Sequence, residues 1–228
     1  MVIVIALLLG VATARLSMWR ARPRSRPFTV AMWLMGLSYV VAVPSIGDDA
    51  LDPVLGLLGH NMSDVMHVVM LVASLGIFGD ISLRAFGRDH WRTPWIAFTA
   101  VAAAALIFTA RTGQARRVAV DDLLELGDPL SVTHSAIFVG YVAATCLLVT
   151  VSTLLTIRES GRLVRQSIVA LATFGATGLI YVAHATYMLI ARPEALREDP
   201  GSALMWAAPA MVCLALAGLY GLLGQRSS

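Results

Sequence analysis

Two short stretches carry the side chains that chemistry could use. In "LLGHNMSDVMHVVML", residues 57–71, His60, Asp64 and His67 are spaced four and three apart, which puts them on one face of a helix. Ser74 extends that face. In "TGLIYVAHATY", Thr177, Tyr181 and His184 repeat the same spacing, and His134 with Ser135 opens a further apolar run. Neutral imidazoles with a carboxylate suit zinc or another divalent ion, and three protein ligands leave a position for water. His67, His134, His184 and Asp64 are the metal candidates. In an enzyme Asp64 and His67 would be the catalytic pair, while His60, Asn61, His134, Tyr181 and His184 would line a substrate pocket.

Other patterns are weaker. "DDALD" (Asp48, Asp49, Asp52) and "DDLLE" (Asp121, Asp122, Glu125) have the carboxylate spacing that holds magnesium against a diphosphate. Such short motifs arise by chance in acidic loops, and Asp52 before Pro53 is expected to be extended or in a turn. Met62, Met66 and Met70 run down a face neighbouring that of His67. With imidazole they would suit copper, but a methionine stripe more often packs helices. Asp/His chains also serve as proton relays, but no charged residue continues the chain to mid-span. Asp80 is expected to pair with Arg84, one turn on.

The elements that must position these groups follow from composition. The 228-residue chain is 58% hydrophobic and 14% charged, whereas soluble domains carry about 25% charged residues. Seven apolar stretches are found at about 2–19, 27–46, 61–83, 94–110, 132–157, 163–191 and 202–224. Each approaches the ~20 residues that cross a bilayer as a helix, and backbone in lipid must pair within its own segment. The expected fold is all-α: one polytopic membrane domain, residues 1–228, of seven transmembrane helices. No basic region precedes the first stretch, so it reads as a retained span rather than a signal peptide. All 17 basic residues are arginine. Without lysine no retinal Schiff base can form, so retinal is excluded as a cofactor. Cys146 and Cys213 fall inside apolar runs and read as small buried hydrophobes.

Arginine placement sets the expected orientation. Arg20, Arg22, Arg24 and Arg26 lie in the first connection, Arg84, Arg88 and Arg92 in the third, and Arg158, Arg162 and Arg165 in the fifth. The alternate connections hold ten of the 14 acidic residues: Asp48, Asp49, Asp52, Asp121, Asp122, Glu125, Asp128, Glu194, Glu198 and Asp199. The N-terminus is then outside and the C-terminus inside a cell (inner or plasma) membrane. In that frame His67 and His184 both lie about 9 Å below the outer ends of their spans, and His134 is shallower. Ionisable groups in spans usually face the bundle interior or a water-filled cavity, and an outward-facing pocket on spans three, five and six is the expectation. Interhelical hydrogen bonding alone is the plain alternative. Gly218, Gly221 and Gly224 are spaced for close helix approach, and Trp19, Trp91, Trp95 and Trp206 for an interfacial belt.

The arginine-rich "RARPRSR", "VPSIGDDALDPVLGLLGHN", "RQSIVALATFGATGLIYVAHATYMLIA" and "WAAPAMVCLALAGL" resemble an actinobacterial family of seven-span membrane proteins commonly labelled transporters. Longer members carry a soluble C-terminal region that this sequence does not include. The resemblance implies that the Asn61 passage and the polar face of span six are recurring features; it implies no catalytic role. The expected function is small-molecule transport or sensing in the bilayer, with a small hydrophobic molecule as ligand. The alternative is membrane-embedded chemistry on a lipid or isoprenoid with zinc or magnesium as cofactor. Nucleic acid is not an expected partner, because cytoplasmic loops account for the basic charge.

Overall fold

The computed structural model of the chain describes residues 2–55, 60–85, 87–118, 120, 123–156, 162–192, 194 and 204–226. Among them every regular element is helical and no strand occurs. Each apolar stretch holds one main helix: α1 (Val2–Leu16), α2 (Arg26–Val41), α3 (Met62–Ala85), α4 (Arg92–Arg111), α5 (Pro129–Thr156), α6 (Arg162–Ala191) and α7 (Leu204–Arg226).

The largest departure from expectation is the second stretch, where α2 stops at Val41. Pro44 has no N–H to continue the ladder and disfavours helix in the residue before it. The chain resumes as compact turns over Pro44–Ile46, a π-helical turn over Gly47–Leu51, and Asp52–Leu55. Asp52 is helical, at φ −60° and ψ −39°, rather than extended or in a turn as its following proline led us to expect. A tertiary bond outweighs the local bias: Asp52 Oδ1 accepts the Ser63 N–H, 2.7 Å away, in the first turn of α3.

The helices form a closed ring. Each packs on its neighbours in sequence, α1 closes on α7, and α3 also reaches across to α5. Polar side chains register the neighbours by bonding to helix carbonyls: Ser74 Oγ donates to Ala31 O (2.7 Å), Trp95 Nε1 to Gly76 O (2.9 Å) and Ser167 Oγ to Ala217 O (2.9 Å). Leu8, Met32, Val72, Tyr141, Val149 and Leu214 fill the interior. The outward faces are apolar too, with Ile96, Val101 and Phe108 exposed on α4, Leu147, Leu154 and Leu155 on α5, and Ile190 on α6. Helices apolar all round suit a lipid surround rather than water. Among the described residues, Met62–Ala85, Asp89–Arg111, Pro129–Thr156 and Arg165–Ala191 are long and apolar enough to cross a bilayer. Val2–Leu16 and Ala207–Leu223 are shorter apolar helices. By length and composition this is a membrane protein.

At the end of α3 opposite His67, Asp80 accepts from Arg84 Nε at 2.8 Å, the partner expected one turn on. It also accepts from Arg92 Nε at 2.6 Å, so one carboxylate ties α3 to α4.

Candidate functional site

His67 sits on the second turn of α3 against the last turn of α2. Its Nδ1 is 2.9 Å from Ser38 O, a carbonyl that also accepts the Ala42 N–H. A carbonyl oxygen has two lone pairs, so beside the Ala42 N–H this one has room for a side-chain donor. A carbonyl only accepts, so Nδ1 carries the hydrogen of this bond. The Tyr39 ring meets the imidazole edge-on with centroids 5.4 Å apart.

These two side chains line a cavity of about 90 Å³ where α2, α3, α5, α6 and α7 converge. Its walls include Phe138, Cys146, Tyr181 and Met211. Of the residues singled out from sequence, His67 and Tyr181 are brought together here. The cavity is mostly apolar with a few polar groups, the usual composition of a small-molecule site. It is also small, holding about three waters at liquid density.

His134 has another address. It is buried at 6% exposure, and its Nδ1 lies 2.8 Å from Thr109 Oγ1, tying α5 to α4. It does not line the cavity. His184 is half-buried on α6, one turn beyond Tyr181, and also stands outside the lining. Asp64 is half-buried in the first turn of α3.

Asn61 performs a structural task. It is buried with φ +58°, a left-handed conformation that asparagine tolerates better than most residues. Its amide nitrogen donates to Ala115 O (2.8 Å) and Val118 O (2.9 Å), and its Oδ1 accepts the Val120 N–H (3.2 Å). It thereby clasps the α4–α5 connection to the start of α3. His60 is exposed beside it; its carbonyl accepts from Arg111 Nη1 at 2.9 Å and its N–H meets Arg116 O.

The acidic loops also have local roles. Asp52 holds the Ser63 amide and Asp48 Oδ1 accepts from Ser63 Oγ at 3.3 Å, while Asp49 is exposed. Asp121 and Asp122 lie outside the described residues, as does the side chain of Glu125. Among the described residues no three His, Cys, Asp or Glu side chains come together as a metal site. His67, His134, His184 and Asp64 are thus not gathered into one ligand set.

No protein-family model, curated protein or solved structure matches this chain. Function must therefore be argued from geometry. Two structural facts escaped the sequence reading. Trp95, expected at the interface, turns inward: its ring packs near Phe98 and Tyr141, and its N–H bonds to Gly76 O. Arg15 is buried near the end of α1, at 4% exposure. An arginine inside an apolar stretch was the available signal for it.

Proposed function

We propose that this protein is a multi-pass protein of the cell membrane that binds a small, largely apolar molecule inside its helical bundle, for transport or sensing. The observation that carries this reading is the cavity lined by Tyr39, His67 and Tyr181 among apolar walls. The His67 imidazole and the Tyr39 and Tyr181 rings give the apolar walls a polar side, which suits a ligand with one polar group. The cavity volume of about 90 Å³ favours a ligand of a few heavy atoms, or a widening of the bundle when a larger one enters. The actinobacterial resemblance agrees with transport.

Seven spans with the N-terminus outside complete the proposal. Four long apolar helices and two shorter ones support it, as does the alternation of arginine-rich and carboxylate-rich connections. Lipid or isoprenoid chemistry by Asp64 and His67 has no comparable support, since among the described residues no grouped donor set accompanies them.

The test is thermal unfolding of the purified protein with a graded set of probes, short aliphatic alcohols and phenol. A saturable rise in Tm, lost in Ala210→Leu, is expected, because Ala210 lines the cavity and leucine fills it. Equal responses in both proteins would remove the reading. Flux of the bound probe into proteoliposomes then separates transport from sensing.

A further inference from the structure

A second cavity lies at the other end of the bundle, and its chemistry differs. It measures about 660 Å³ and is lined by Arg15, Arg22, Arg24, Phe28, Ser167 and Gly221, among others. That volume falls within the usual range of ligand sites, about 300–1,000 Å³. Among the described residues, three arginines and no carboxylate line it.

Arg15 makes the arrangement informative. Its Nε donates to Thr29 Oγ1 (3.3 Å), its Nη1 donates to Gly218 O (2.8 Å), and its guanidinium lies 4.8 Å from the Phe28 ring centroid. All these partners are neutral. Among the described residues no carboxylate pairs with it. A buried charge without an ion partner is costly, and a guanidinium has five N–H donors to satisfy. Held by Thr29 and Gly218, the group is fixed in place at the cavity wall. Gly221 keeps that wall open: a Cβ there would stand 3.2 Å from Arg15 Nη1 and 3.8 Å from Ser167 Oγ. The exposed Arg22 and Arg24 supply further charge at the rim.

We propose that this cavity is a binding site for a phosphate-class oxyanion, with Arg15 as its fixed inner cation and Arg22 and Arg24 as its exposed rim. Guanidinium forks match the oxygens of such a group bidentately. The anion comes either from a lipid headgroup or from a soluble phosphate, and both present the same oxygens to the arginines. The site is separate from the His67 cavity and does not depend on the function assigned to it.

The experiment uses the full chain in neutral detergent, with unfolding followed by tryptophan fluorescence. One arm adds sodium phosphate against sodium chloride at matched ionic strength. The other adds phosphatidylglycerol against diacylglycerol, which has the same tails without the phosphate. At ten times Kd the expected rise in Tm is roughly 3–6 °C, in the phosphate arm for a soluble anion and in the lipid arm for a headgroup. Either response should vanish in the Arg22→Ala/Arg24→Ala double variant, whose changes lie at exposed positions and leave the core intact. Gly221→Leu should also abolish it without altering charge. No rise beyond the controls in either arm overturns the proposal, as does a rise that survives in the double variant. Glu159 lies outside the described residues; if Glu159→Gln destabilises the protein while neither arm responds, Arg15 has an internal counterion and the site is refuted.

Discussion

Thr109 Oγ1 lies 2.8 Å from His134 Nδ1, and the same hydroxyl is 3.0 Å from the carbonyls of Ala105 and Leu106. The hydroxyl has one hydrogen for these three contacts, and in either direction the Thr109–His134 hydrogen bond bridges two helices. The pair therefore reads as a joint between α4 and α5. Thr109→Val should remove the hydroxyl partner of the buried imidazole and cost about 0.5–1.5 kcal/mol. A double-mutant cycle with His134→Ala, read by Tm, should show that the two losses are not additive.

Asn61 should respond to substitution through its backbone as well as its side chain. Asn61→Ala loses three hydrogen bonds and keeps a Cβ at a left-handed position that alanine tolerates less well than asparagine, whereas Asn61→Gly loses the bonds but removes the Cβ. Both should destabilise, with alanine worse by about 1 kcal/mol. Equal Tm values for the two variants would show that the left-handed conformation adds no strain in alanine.

Gly79 faces the Trp95 indole so closely that a Cβ would overlap the ring. Gly79→Ala should cost about 1–3 kcal/mol through overpacking and change the tryptophan emission. In a Trp95→Phe background the smaller ring relieves the overlap, so the penalty of Gly79→Ala should fall.

Orientation can be read by labelling. In a chain lacking Cys146 and Cys213, single cysteines at the exposed positions Asp49 and Gln114 should react with an impermeant maleimide on intact cells. Cysteines at Arg20 and Arg88, exposed at the other end, should react only after permeabilisation. The reverse pattern would overturn the N-terminus-outside proposal.

What the sequence determined by itself was local and compositional. Apolar stretches of sufficient length located the seven main helices, because a helix satisfies its backbone within its own segment. Asp80 with Arg84 was legible for the same reason, being one turn apart on one helix. The tertiary structure decided which polar groups meet. Helical spacing put His60, Asp64 and His67 on one face, but what each residue touches depends on the neighbouring chain it meets. His60 meets Arg111 and Arg116, His67 meets the end of α2, and His134 faces α4. Periodicity carries no information about which helix lies opposite, so depth alone suggested one shared pocket where the packing made several separate contacts. Arg15 shows the same limit. Its type and position were plain in the sequence, but its burial against Gly218, some 203 residues away, existed only once α7 closed the ring on α1.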